Sequence, residues 1–275
     1  GCVIKINLKG IELLQQDDNF FFVKAQAGED WDEFVDFCVS KNWSGLENLS
    51  LIPGCVGASV VQNIGAYGAE AVDFAHIVEV FNVETGEFEE LEIEECGLAY
   101  RESNFKSIWQ NKYVVSSVVY KLKKQNDLNL TYSSLLSELK LRGLENPNIK
   151  DVREIVIEIR RSKLPEPKEL GNAGSFFKNP IVDSAKFADL LKTYPSIVNY
   201  PLEDSKYKLA AGWLIDQSGL KGFKHKGAAV HDRQALVLVN CGSAEPSDIV
   251  ELSKIVQQEV FKKFGVDLEP EVRFV

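Results

Sequence analysis

The run Gly171-Asn172-Ala173-Gly174-Ser175-Phe176-Phe177-Lys178-Asn179-Pro180 constrains the fold more than any other stretch of this chain. Glycine loses much backbone freedom on ordering, so the run is poor helix material, and it lacks the clean alternation of a strand. Its two glycines let the backbone approach a ligand closely. Phe176 and Phe177 can anchor the run in a core, which leaves Ser175, Lys178 and Asn179 to face a bound group. The other reading is a polar loop between domains. Pro165 and Pro167, just upstream, stop a preceding helix and mark a domain boundary.

At 275 residues the chain is long enough for two domains, or three if some are small. A net charge of −10 repels a long polyanion, so nucleic acid is not expected as a partner, while a small anionic ligand needs only a local basic site. The five cysteines (Cys2, Cys38, Cys55, Cys96 and Cys241) are odd in number and include no Cys-x-x-Cys pair. That argues against a disulfide framework or a zinc site, so no bound metal and a reducing cytoplasm are expected. No apolar run approaches the roughly 20 residues of a membrane span, no signal peptide is visible, and no membrane partner is expected. The chain opens with Gly1-Cys2 and contains no methionine, and it is expected to lack its natural start.

Residues 2–8 and 20–27 are rich in Val, Ile and Phe and read as strands. A helix follows, with Glu29 and Asp30 at its start and Trp31, Phe34, Val35, Cys38 and Val39 on one face. Residues 77–83 and 88–93 flank Glu84-Thr85-Gly86-Glu87, a hairpin signal, and 113–122 is a further strand. Ser133 is placed as the cap of a short helix to about Arg142. Asp151 with Glu154 resembles a capping box for a helix that packs Val152, Ile155, Val156 and Ile159. The second half reads as helices 183–193, 209–217 and 247–264, the last capped by Ser247, with strands at 235–241 and 266–275. Strands and helices without a regular βαβ rhythm predict an α+β protein.

Four stretches can carry chemistry. From Ile52 to Gly68, four glycines, two alanines and a serine expose backbone N–H groups that can bond a phosphate or a flavin edge. The run matches neither a P-loop nor a dinucleotide fingerprint, and a tight structural turn is the alternative. Tyr100-Arg101-Glu102-Ser103-Asn104-Phe105-Lys106 offers a guanidinium fork suited to a carboxylate or phosphate, or else a solvated loop. Arg160-Arg161-Ser162-Lys163 concentrates cations in an acidic chain, either for a ligand or for the helix dipole. In Leu268-Glu269-Pro270-Glu271-Val272-Arg273-Phe274, Glu271 is a solvated carboxylate or, beside Ser175, an acid or charge stabiliser. His225 and His231 lack metal-ligand spacing and read as structural or exposed.

Together these stretches resemble one family, the flavin-dependent UDP-N-acetylenolpyruvoylglucosamine reductases of bacterial peptidoglycan synthesis. The matching strings are IPGCVGASVVQNIGAYGAE, YRESNFK, LTYSSL, SKLPEPKELGNAGSFFKNP, LAAGWLIDQSGLKG and LEPEVRF, in that order. LTYSSL resembles the longer type of the family, which carries an extra substrate-covering loop. The resemblance implies an FAD-binding domain of the vanillyl-alcohol-oxidase/PCMH-like type, its amino-terminal part and Gly-rich diphosphate loop missing, with an α+β substrate-binding domain. The expected division is 1–163 for FAD binding, 164–265 for substrate binding, and 266–275 as a strand returning to the site. The implied reaction reduces bound FAD with NADPH and passes hydride to the enolpyruvyl ether of a UDP-sugar, giving UDP-N-acetylmuramate.

By position, Ser175 resembles the family's proton donor, and Arg101 and Glu271 its two groups that polarise the substrate carboxylate. Tyr132, Lys163, Asn179 and Gln234, with Arg101, match its substrate-binding residues. The cofactor set implied is Pro53, Gly54, Cys55, Gly57, Ala58, Ser59, Gln62, Asn63, Gly65, Ala66 and Tyr67. The residue types suit the chemistry independently. Hydride addition builds negative charge on the carboxylate, which Arg101 can hold through parallel bonds, and the neighbouring carbon then needs a proton. A monomer acting on a small UDP-sugar is expected. The rivals are another FAD oxidoreductase on the same scaffold and a non-catalytic UDP-sugar-binding module.

Overall fold

The structure, a computed structural model, describes residues 3–125 and 127–274. The chain divides into two compact units, Gly1–Arg160 and Arg161–Val275.

The first unit contains β1 (Ile11–Gln16), β2 (Phe20–Gln26), α1 (Trp31–Ser40), α2 (Val56–Gln62), β3 (Gly65–Ala66), β4 (Ala69–Glu70), β5 (Ala75–Asn82), β6 (Phe88–Glu92), β7 (Tyr113–Lys123), α3 (Ser133–Leu141) and most of α4 (Ile149–Lys163). Five strands form an antiparallel sheet in the order β1-β2-β7-β5-β6. In the central strand β7, residues 115–120 are buried without a break, as a strand covered on both faces must be. Asp30 caps α1, its carboxylate accepting from the N–H groups of Asp32 and Glu33 at 3.0 and 3.1 Å. The α1 face Trp31, Phe34, Val35, Cys38 and Val39 is buried in the core with α2 and the sheet. Helix α4 buries Val152, Ile155, Val156 and Ile159 against Leu135 and Leu139 of α3. Each such side chain contributes roughly 1.5–3 kcal/mol.

The second unit contains β8 (Asn172–Ser175), β9 (Ile181–Asp183), α5 (Ser184–Thr193), β10 (Asn199–Pro201), β11 (Lys206–Leu209), α6 (Ala211–Gln217), β12 (Lys224–His225), β13 (Ala228–Val230), β14 (Val237–Asn240) and α7 (Pro246–Phe264). Its sheets run β12-β13-β14-β8 and β10-β11-β9. Its core gathers Phe176, Phe177, Leu214, Leu252, Val256, Val260 and Phe264 among others. Mixed sheets and helices in both units make this an α+β protein.

Several local expectations are corrected. Residues 3–8 form no strand (Cys2 lies outside the described residues); the edge strand is β1, which pairs β2. Residues 266–274 are not a strand either: their bridge is a single one, Phe177 with Pro270 (Val275 lies outside the described residues). Helix starts differ from expectation as well. Tyr132, not Ser133, precedes α3. For α4, Asn148 accepts from Lys150 and Asp151 while Asp151 accepts from Asn148, so the box lies three residues upstream of Asp151 and Glu154. For α7, Glu245 and Asp248 form the box and Pro246 takes the first turn, displacing Ser247. Leu209 belongs to β11, and α6 starts at Ala211.

Candidate active site

The glycine-rich run of the first unit is sewn to the turn before α1. The N–H of Trp31 donates to Gly54 O at 3.1 Å, Val56 to Glu29 O at 3.0 Å, and Gly57 to Ala27 O at 3.0 Å. A Cβ on Gly57 would lie 2.8 Å from the Ala27 Cβ, so only glycine permits this approach. Entry to the run is fixed at Leu51, whose φ is +57°. Its N–H donates to Asp32 Oδ1 at 2.6 Å and its carbonyl accepts from Arg160 Nε at 3.0 Å. Arg153 in turn grips Asp32 through Nη1 at 2.6 Å and Asp36 through Nε at 3.0 Å. Burial depresses the Arg160 pKa, with Tyr67 and Asp32 opposing that shift.

The side chains of this run divide by direction. Ser59 and Asn63 are buried and bonded inward. Ser59 Oγ donates to Val56 O at 2.7 Å and meets Tyr120 OH at 2.7 Å. Asn63 donates to Glu70 and to Ala99 O, and accepts from the Val72 N–H. Gly57 is buried as well, whereas Cys55, Gln62, Gly65, Ala66 and Tyr67 are half-buried, and Pro53, Gly54 and Ala58 are exposed. Nothing lies within 4 Å of where a Gly54 Cβ would stand.

Two stretches far apart in sequence meet here. Arg101 stands over the end of the glycine-rich run, its Nη1 donating to Asn63 O at 3.1 Å and its Nη2 to Gly65 O at 2.7 Å. Its own backbone is left-handed, with φ +55°, and Lys106 Nζ donates to its carbonyl at 2.7 Å. The same ammonium donates to Gln62 Oε1 at 3.0 Å. Tyr132 packs edge-on against Tyr67, ring centroids 5.2 Å apart. Burial raises the Tyr67 pKa and Arg160 lowers it in part, so the phenol stays neutral near pH 7.

The second unit gathers the other candidates. Ser175 ends β8, opposite Val237, and is exposed. Phe176 and Phe177 behind it are buried and pack edge-on at 5.1 Å, which fixes the strand end. The chain then returns. Glu271 N–H donates to Phe176 O at 2.8 Å, and Lys178 N–H to Glu269 O at 2.9 Å. Glu271, half-buried, is thereby held one residue from Ser175. Lys178 Nζ pairs with Glu269 at 2.7 Å. Asn179 Oδ1 accepts the N–H of Ala211, the first residue of α6, at 2.9 Å. Gln234 lies in the turn before β14, its N–H donating to the ring Nδ1 of His231 at 3.1 Å. Lys163 is exposed at the end of α4.

Sequence reasoning grouped Arg160 with the basic cluster and missed its hold on Leu51. It also passed over Asn48, whose amide donates to the carbonyls of Tyr67 and Asn129. The available signal was Glu47-Asn48 set inside the apolar run from Leu46 to Ile52, since polar residues in such a run are buried for their hydrogen bonds.

An antiparallel sheet unit carrying a small-residue run with exposed positions at Pro53, Gly54 and Ala58, followed by a second α+β unit, is the setting of a flavin-binding α+β protein. Residues 1–92 match the model described as "FAD binding domain", and residues 166–275 match "UDP-N-acetylenolpyruvoylglucosamine reductase, C-terminal domain". The chain belongs to the UDP-N-acetylenolpyruvoylglucosamine reductase family. It is 47% identical over 276 residues to the reductase of Flavobacterium johnsoniae, covering 100% of this chain and 82% of that protein. Against the reductase of Neisseria meningitidis serogroup B it is 50% identical over 272 residues, covering 98% and 79%. The crystal structure of the reductase from Thermus caldophilus superposes with a TM-score of 0.63 at 28% identity, covering 91% of this chain and 71% of that one. The residues present fit FAD. Pro53, Gly54 and Ala58 are exposed, and the backbone at Gly54 is open to contact.

Proposed function

We propose that this chain, with FAD bound, uses NADPH to reduce the enolpyruvyl ether of UDP-N-acetylglucosamine enolpyruvate to UDP-N-acetylmuramate, a peptidoglycan precursor for cell-wall growth, shape and division. It works in the cytoplasm as a monomer on this small UDP-sugar, without nucleic acid or membrane. The observation that supports the reading is the backbone bond from Glu271 to Phe176 at 2.8 Å, next in sequence to the exposed Ser175.

When bound, FAD would supply the redox chemistry linking NADPH to the substrate. Pro53, Gly54, Cys55, Gly57, Ala58, Ser59, Gln62, Asn63, Gly65, Ala66 and Tyr67 form its contact surface, the buried Ser59 and Asn63 acting by shaping the backbone. Hydride addition to the enolpyruvyl double bond drives negative charge into the substrate carboxylate. Arg101 holds that carboxylate; its guanidinium is already oriented by two carbonyls, so little reorganisation is needed. Glu271 polarises the same group. Ser175 Oγ then gives its proton to the carbon bearing the carboxylate and is reprotonated from solvent. Tyr132, Lys163, Asn179 and Gln234 bind the UDP-sugar.

Ser175→Ala tests the assignment with the two half-reactions run separately by stopped flow. Flavin bleaching by NADPH is expected at the wild-type rate. Reoxidation by the enolpyruvyl substrate is expected to slow by at least roughly 10²-fold. Slow bleaching with normal reoxidation would place Ser175 on the NADPH side and overturn its role as proton donor.

A further inference from the structure

Asn48 is 1% exposed, deep in the first unit, and its amide bridges two loops. Its Nδ2 donates to the carbonyl of Tyr67, in the glycine-rich run, and to the carbonyl of Asn129, in the segment leading to Tyr132, both at 2.8 Å. Both partners are acceptors, so only an NH₂ group can serve both. Among the described residues the Asn48 Oδ1 has no hydrogen-bond partner. A buried unbonded acceptor is destabilising, so a leucine would pack here at less cost unless the two donated bonds matter.

The junction is reinforced on its outer side. Asn129 Nδ2 donates to Gly68 O at 2.7 Å, while its Oδ1 accepts from both the N–H and the hydroxyl of Thr131 at 3.2 and 2.7 Å. Gly68 has φ +85°, and a Cβ there would meet the Asn129 side-chain amide nitrogen at 3.3 Å. The next contact along is the edge-on packing of Tyr132 on Tyr67. Two amides therefore tie residues 67–68 to 129–131 and deliver Tyr132 to its place.

We propose that Asn48 is a positioning residue which locks the Tyr132 segment onto the glycine-rich loop, so that the surface for the UDP-sugar is set by the loop that carries the cofactor. The consequence for catalysis rests on the function proposed above; the junction itself does not. The backbone at Tyr67 and at Asn129 shares one donor group, so loosening either loop loosens both.

The test uses the full chain with FAD and the variants Asn48→Leu, Asn48→Asp, Asn129→Ala and the Asn48→Leu/Asn129→Ala pair. Amide hydrogen exchange is expected to quicken together at residues 65–68 and 128–132 in Asn48→Leu, by about tenfold or more for two lost bonds, while β2 and β7 keep wild-type rates. Asn48→Asp, of nearly equal volume but without the NH₂, is expected to match Asn48→Leu. KM for the enolpyruvyl UDP-sugar should rise by about tenfold. The double variant is expected to be little worse than the poorer single one, because both release the same junction. Wild-type behaviour of Asn48→Asp, additive effects, or a uniform rise in exchange that includes β7 would each overturn the proposal. If Asn48→Leu does not fold, Asn48→Asp decides the matter through exchange at 65–68 and 128–132. Absence of turnover of the enolpyruvyl substrate by wild type would remove the functional reading and leave the exchange result to judge the junction.

Discussion

The Glu271 N–H donates to the Phe176 carbonyl at 2.8 Å, a backbone bond that a change of side chain leaves in place. Glu271→Gln is therefore expected to lower kcat by about 10²–10³-fold, the range for losing one electrostatic stabiliser. Thermal unfolding should move little. Steady-state kinetics beside a melting curve checks both halves, and a large fall in Tm would mean that the side chain serves the fold.

Arg101 rests on Asn63 O and Gly65 O, and a Cβ on Gly65 would lie 3.1 Å from its Nη1 and 2.9 Å from the Glu70 Cγ. Gly65→Ala is expected to push the guanidinium aside by some tenths of an ångström or more. Turnover should drop by up to about 10²-fold, as misplacement of a positioned group can do. The comparison of kcat with FAD content is the measurement; a variant that holds FAD and turns over normally would show that the seat of Arg101 is not critical.

Arg153 joins Asp32, which holds the Leu51 N–H, to Asp36. The Arg153 side chain is 10% exposed and Asp32 25%, whereas Asp36 is 68% exposed. Arg153→Ala leaves Asp32 partly buried without its cation and is expected to destabilise by about 3 kcal/mol. Asp36→Ala removes a solvated partner and should change stability by less than about 1 kcal/mol. Urea unfolding of the two variants side by side distinguishes them, and equal effects would contradict the burial argument.

Glu47 is buried, and desolvation raises its pKa above the ordinary 4.5, with bonds from Gly45 and Ser44 opposing. The folded chain therefore keeps this proton to higher pH than the unfolded chain does. Between 4.5 and the folded value the native state binds more protons, so stability falls as pH rises through that window. Glu47→Gln keeps an oxygen to accept the Gly45 N–H but cannot ionise. It is expected to be more stable than wild type near pH 7, and the difference should vanish below pH 4.5. Denaturant unfolding across pH 4 to 7 measures it; parallel curves would show that Glu47 does not titrate on folding.

Elements with a local signal are legible along the chain. The 3.6-residue stripe Val152, Ile155, Val156 and Ile159 marks α4, and Ile249, Leu252, Val256, Val260 and Phe264 mark α7, because burial of one helix face leaves that period in the composition. The hairpin around Gly86 and the glycine-rich run at 52–68 are legible for the same reason, since few residues tolerate their backbones. Tertiary structure decided the rest. In the edge strand β1 Ile11 is half-buried and the other five residues are exposed, with no alternation to read, while residues 3–8 carry strand-forming side chains and find no ladder. Strand propensity reports fit to a half-buried surface, and only the partner strand supplies that surface. The same holds for 266–274, where Pro270 and a lone bridge to Phe177 replace the expected strand while the Glu271 N–H still reaches the Phe176 carbonyl. Which carbonyls seat Arg101, and which two loops Asn48 ties together, depend on contacts between residues far apart in the chain, and no local period encodes a partner of that kind.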